Sequence, residues 1–215
     1  MPKCIIASPF LFPPTQLSHV LADELEKVIR GFGWTVVRLH GPQNLRLFFS
    51  YALATNPDAT LIAYLGHANA TAFLGEELFG LGILAVDNVG EAKDRIIVGI
   101  PACLAGQKLG PSSVKASAKA FVGSVEEMYA AWPEQEHNYM ADWFDYTLTL
   151  YRSLVGSLTA GKSARESVEK AVNDYRARCT YYMELYKSNL ERWPNSDYYY
   201  MACRQNRDYV VGFIR

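Results

Sequence analysis

The sequence predicts an α/β three-layer sandwich with a mainly parallel sheet and a helix-rich C-terminal part. Short continuous apolar runs in the first half are separated by segments of helical period, as strands buried on both faces require. Twelve of the 14 tyrosines lie after residue 128, where the pattern turns helical. The chain has 215 residues, half of them apolar and a fifth charged, which suits one domain with its own core and no need of disulfide or metal staples.

Taken in order, Lys3–Ala7 is a compact β-type run stopped by Ser8-Pro9. Leu17, Val20, Leu21, Leu25, Val28 and Ile29 then repeat at helical spacing, closed by Gly31 and Gly33. Thr35–Leu39 is a second strand, and Leu45–Leu53 a helix that ends before Asn56-Pro57. Thr60–Leu65 and Ile96–Ile100 are the third and fourth strands, Ser112–Lys119 a short helix, and Ala120–Ser124 the fifth strand. Short right-handed crossovers make the third, fourth and fifth strands neighbours.

In the second half, Trp143, Phe144, Leu148, Tyr151, Leu154, Val155 and Leu158 mark one amphipathic helix. Ser163 and Glu166 have capping-box spacing for the next, whose stripe runs from Val168 to Leu190 before Pro194. That stripe reads as one helix laid on the sheet rather than a coiled coil. Residues 209–214 form a terminal strand closing the sheet edge. The division is one domain over 1–215: a core at 1–130, a helical part at 135–205 packed on the sheet, and the last strand.

Composition excludes several classes. With 21 basic and 22 acidic side chains the chain is not a nucleic-acid binder by charge. The uncharged stretch 4–22 is broken by Pro9, Pro13 and Pro14, and the stretch 59–75 contains Gly66, His67 and Asn69, so neither reads as a signal or a membrane span. A cytoplasmic location is the expectation. Cys4, Cys103, Cys179 and Cys203 lie far apart with no metal-ligand spacing, so neither a metal nor any other cofactor is expected. No phosphate-binding Gly-x4-Gly-Lys-Ser/Thr, no Cys-x5-Arg and no Gly-x-Ser-x-Gly elbow is present.

In a parallel sheet the C-terminal strand ends gather along one edge, where reacting groups sit. The polar residues there are Ser8, His40, His67, Asn69, Cys103, Glu126 and Glu127. His67 and Cys103 end two strands expected to be neighbours, about 4.8 Å apart. An imidazole facing a thiol across that gap is the arrangement a cysteine nucleophile needs.

The stretches Leu61–Ala68 (LIAYLGHA), Ile96–Gly106 (IIVGIPACLAG) and Ala118–Val125 (AKAFVGSV) resemble the caspase-like (clan CD) cysteine peptidases, nearest the CHAT and gingipain branches. The resemblance covers roughly residues 1–130. It implies Cys103 as nucleophile and His67 as general acid/base, with an oxyanion hole from the backbone N–H groups of Ala68 and Cys103. Ala68 stands where the family ordinarily has Gly. The implied activity is a cysteine endopeptidase acting on a peptide or protein, through a thioester acyl-enzyme.

Glu126 and Glu127 are candidates for pairing with a basic substrate side chain, and His40 and Asn69 for further substrate contacts. The loop Ser8–Thr15 is a candidate wall of the cleft. The terminal strand offers an edge for a homodimer. The alternative reading is a non-catalytic caspase-like or flavodoxin-like module that binds a protein partner or small ligand. His19 and His137 read as surface residues, Cys4 and Cys179 as core, and Tyr198–Tyr200 as an anchored loop. Cys203 lies in a polar stretch open to exposure.

Overall fold

A computed structural model of the chain describes residues 1–10, 13–75 and 82–215. The elements in order are β1 (Lys3–Ser8), α1 (Pro13–Gly31), β2 (Thr35–His40), α2 (Arg46–Thr55), β3 (Ala59–Tyr64), β4 (Ala68–Asn69), β5 (Ala72–Leu74) and β6 (Gly82–Ala85). There follow β7 (Ile96–Gly99), α3 (Leu109–Lys115), β8 (Ala120–Ser124), α4 (Tyr139–Thr159), α5 (Ala164–Lys187), α6 (Ser196–Tyr209) and β9 (Val210–Ile214).

The main sheet has the order β2-β1-β3-β7-β8-β9. Its first five strands run parallel, and β9 returns antiparallel to β8. Period-2 alternation divides the strand side chains between two cores. Cys4, Ile6, Leu61, Ala63, Val98 and Val122 face α1, α4, α5 and α6. Ile5, Ala7, Ile62, Tyr64, Ile97 and Phe121 face α2 and α3. The result is the expected three-layer sandwich, with the helical C-terminal part on one face. β4, β5 and β6 form a small antiparallel sheet between β3 and β7, which the sequence reading did not include.

Local chemistry accounts for the helix ends. The Ser163 hydroxyl accepts the Glu166 N–H, and the Glu166 carboxylate accepts the Ser163 N–H, a complete capping box at the start of α5. Gly161, at φ +80°, makes the left-handed turn between α4 and α5. The α5 stripe buries Val168, Val172, Tyr175, Cys179, Tyr182 and Tyr186, but the helix stops at Lys187 and leaves Leu190 exposed.

Several expectations need correction. α3 starts at Leu109 rather than Ser112, because Pro111 falls in the first turn, where no N–H is required. Tyr198–Tyr200 is helical: α6 buries Tyr199, Ala202, Cys203 and Asn206 on one face, which also removes Cys203 from solvent. His137 is not a surface residue, since it stacks on Trp193 with ring centroids 3.9 Å apart and pairs with Asp142. His19 is half-buried between Phe10 and His40. Of the loop expected at Ser8–Thr15, Pro13 onward belongs to α1, and Leu11 and Phe12 lie outside the described residues.

No described helix is long and apolar enough to cross a membrane.

Candidate functional site

His67 and Cys103 line one small pocket at the C-terminal ends of β3 and β7, which are neighbouring parallel strands. Its other walls are Ser18 from α1, Gly66, Pro101, Met128, Ala130 and Trp143 from α4, around a volume of about 70 Å³.

The histidine turn is held from below. The Tyr64 hydroxyl lies within hydrogen-bond distance of the carbonyl oxygens of both His67 and Leu74. A phenol has one proton, so it serves one carbonyl at a time and clasps the two segments together. The Tyr64 ring is buried and stacks on Phe73 of β5, with centroids 4.2 Å apart. Gly66 is required by this clasp, because a Cβ there would lie 2.7 Å from the Tyr64 hydroxyl oxygen and 2.9 Å from Pro9. The His67 imidazole itself is exposed, and among the described residues it makes no hydrogen bond, least of all to the thiol.

The small sheet orients the residue after the histidine. Leu74 N–H donates to His67 C=O at 2.9 Å, so 67 and 74 form a hydrogen-bonded pair. Ala68 is the next residue, opposite Phe73, and its N–H therefore turns away from β5. β4 is the edge strand, which leaves that side of Ala68 without a sheet partner. Ala68 lies in extended backbone, not in the left-handed region, so its methyl group costs no strain.

The cysteine sits in a constrained turn. Tyr151 of α4 donates its hydroxyl to Ile100 C=O at 2.9 Å, fixing the end of β7. Leu104, directly after Cys103, has φ +60°, which costs about 1 kcal/mol for a residue with a Cβ. The turn is tied to the segment after β8 by Leu104 N–H to Glu126 C=O (3.1 Å) and Gly106 N–H to Ser124 C=O (2.7 Å). A Cβ on Gly106 would stand 3.0 Å from the Ser124 backbone, tight enough that the two segments would have to give slightly for a larger residue. The Cys103 sulfur is half-buried and accepts the Met128 N–H at 3.3 Å.

The far wall comes from the helical half. Asn206 of α6 accepts the Tyr129 N–H at 3.0 Å and donates to Tyr129 C=O at 2.9 Å, with a further hydrogen bond to the Tyr146 hydroxyl. Tyr129 lies between Met128 and Ala130, so this buried carboxamide sets where both wall residues stand. Trp143 is 1% exposed, and among the described residues its indole N–H has no hydrogen-bond partner.

The remaining candidates lie elsewhere. Glu126 and Glu127 are exposed and do not line the pocket, and Glu126 contributes only its backbone to the turn, where its C=O accepts the Ser124 hydroxyl at 2.8 Å. The Asn69 carboxamide oxygen accepts Thr71 N–H, Thr71 hydroxyl and Ala72 N–H, all at 2.8–2.9 Å, and so shapes the hairpin. His40 ends β2 against His19, two strands from His67. Burial first, then the charges of Arg38 and His19, lower its pKa.

Met128, Ala130, Trp143 and Ser18 were not among the sequence candidates, because nothing local separates an apolar pocket wall from core. Among the described residues no cluster of three or more His, Cys, Asp or Glu side chains is placed to hold a metal ion. No known family model matches the chain, and no curated protein matches it.

Proposed function

We propose that this protein is a cysteine endopeptidase in which Cys103 attacks and His67 moves the proton. The observation that carries the reading is the meeting of His67 and Cys103 in one pocket at the ends of adjacent parallel strands. His67 takes the thiol proton, and the sulfur adds to the substrate carbonyl carbon while the carbonyl electron pair moves to oxygen. The N–H groups of Ala68 and Cys103 receive that oxyanion. The imidazolium then protonates the leaving amine as the C–N bond breaks, leaving a thioester. Water attacks the thioester, His67 accepts its proton, and the C–S bond breaks to release the acid and restore the thiol.

The site's features fit these roles in particular ways. The exposed imidazole is free to swing toward sulfur or leaving group. The N–H of Ala68 turns away from β5 on the open edge of β4, so the small sheet leaves it unused.

A second reading, a module that binds a peptide without cleaving it, is favoured by one contact. The Cys103 sulfur accepts the Met128 N–H, as a structural thiol also does. Peptide acyloxymethyl ketones separate the two readings, because an activated sulfur displaces their carboxylate and forms a thioether. Mass spectrometry of the adduct should find it on Cys103 alone and lost in His67→Ala. Equal, slow labelling of Cys103 in both proteins, matching an unactivated thiol, supports the binding module instead.

A further inference from the structure

We infer that Asn206 is a positioning residue for the nucleophile: it holds the Met128 backbone so that the Met128 N–H stabilises the Cys103 thiolate. The inference rests on the proposed reading of Cys103 as the reacting sulfur. It gives the helical half of the chain a part in the chemistry.

The contact at sulfur favours one protonation state. Met128 N–H donates to Cys103 Sγ at 3.3 Å, and Met128 C=O lies 3.9 Å from the same atom. A neutral thiol can donate to that carbonyl over a long distance and gains little from the N–H. A thiolate has no proton to give and accepts the N–H as a charge-assisted bond, which favours the charged form. Among the described residues His67 is the one other ionisable side chain that lines the pocket. α1 and α4 bring only the uncharged Ser18 and Trp143, and Glu126 and Glu127 are exposed outside it.

The aim of that N–H is set from both ends of a short segment. At the near end, Leu104 N–H to Glu126 C=O and Gly106 N–H to Ser124 C=O fix residues 124–126 to the cysteine turn. At the far end the fully buried Asn206 takes hold of Tyr129. Its carboxamide oxygen accepts the Tyr129 N–H, which shares one rigid peptide plane with the Met128 C=O. Its amide group donates to the Tyr129 C=O in the next plane and to the Tyr146 hydroxyl. One side chain thus fixes two successive planes after Met128. Without it Met128 turns about its own φ and ψ, and the N–H loses its aim.

Iodoacetamide alkylation across a pH series, mapped by mass spectrometry, tests this. Cys4, Cys179 and Cys203 are buried, so labelling of the folded protein reports Cys103. Asn206→Leu keeps the side-chain size and removes all three bonds. Its alkylation midpoint is expected about one pH unit above the parent's, the equivalent of about tenfold less thiolate. The plateau at high pH should be equal or up to about threefold faster, because a more basic thiolate is the better nucleophile. The same rise should appear in a His67→Ala background, since the N–H acts without the imidazole. A purely structural role would instead slow labelling at every pH, or open Cys203 on the same helix to the reagent.

An unchanged midpoint in folded Asn206→Leu overturns the inference. If that variant does not fold, Tyr146→Phe takes its place: it removes one of the three bonds and should lower the thiolate fraction by about threefold. No shift there overturns the inference equally. The Met128 amide proton, identified in methionine-labelled protein by its loss in Met128→Leu, gives a reading in the parent chain. It should move downfield through the alkylation midpoint and stay still in Cys103→Ala, and no movement in the parent removes it as the thiolate's donor. The ketone probes judge the peptidase reading separately. Loss of ketone labelling with the Asn206 shift retained ends that reading alone, and ketone labelling without the shift ends the role of Asn206 alone.

Discussion

His67 and His137 sit in opposite kinds of surroundings. His137 is stacked on Trp193, edged by Tyr139 and paired with Asp142, whose carboxylate also accepts the Tyr186 hydroxyl at 2.9 Å. Loop, α4 and α5 are joined through that one carboxylate. His67 has its backbone clasped by Tyr64 and its ring left exposed. A ring held on every side serves packing, whereas a ring with a fixed backbone and a free imidazole can accept and return a proton. Placement of the main chain, more than partners for the side chain, distinguishes the candidate catalytic histidine.

The largest effects should come from the free pair. Cys103→Ala should abolish covalent capture and peptide cleavage, and His67→Ala should lower both by about 10²–10⁴-fold, the usual contribution of a general acid–base group. His67→Ala should unfold in urea within about 0.5 kcal/mol of the parent, as surface substitutions do. A large stability loss in His67→Ala would erase the contrast with His137.

His137→Ala should behave in the reverse sense. Removing the ring takes one of two hydrogen-bond partners from the half-buried Asp142 carboxylate and leaves it the Tyr186 hydroxyl, at a cost of about 1 kcal/mol. Cys103 labelling at a temperature well below unfolding should match the parent. Tyr64→Phe lies between the two: it keeps the stack on Phe73 and removes the clasp. The expected result is about a tenfold fall in the maximal labelling rate, as for the loss of about 1.4 kcal/mol of positioning, with little change in probe affinity.

The smallest effect concerns Asp145, in the same helical region as His137. Burial works to raise its pKa, but hydrogen bonds from Arg178 and Tyr182 and the charge of Arg178 together hold it below the ordinary value. The folded state therefore favours the carboxylate, and this stabilisation is present at neutral pH, above the unfolded value. It is lost as pH falls below about 3.8, through the depressed folded value. Asp145→Asn should thus be less stable than the parent at pH 7, and the difference should shrink toward pH 3 in urea titrations. A constant difference would remove the charge from the explanation.

Legibility in the sequence followed the type of signal. The five parallel strands, the closing strand and the α5 capping box were readable because each rests on local chemistry: apolar runs, Gly/Pro stops and Ser/Glu spacing. The small β4–β6 sheet was not, since two- to four-residue strands are too short to show a period. α6 was missed although Tyr199, Cys203 and Asn206 have helical spacing, because the run of three tyrosines in its first turns masks the pattern. The His137 network joins residues up to 56 positions apart through contacts that no local period encodes.

By itself, the sequence determined the sandwich and set His67 and Cys103 at neighbouring strand ends, because strand polarity and crossover rules follow from the backbone. Only the tertiary structure decided what surrounds that pair. It brought Trp143 from α4 to the pocket, used Asn206 of α6 to set Met128 and Ala130, and left Glu126 and Glu127 outside. An apolar side chain carries the same sequence signal whether it fills a core or faces a cavity, and packing between distant helices makes the difference.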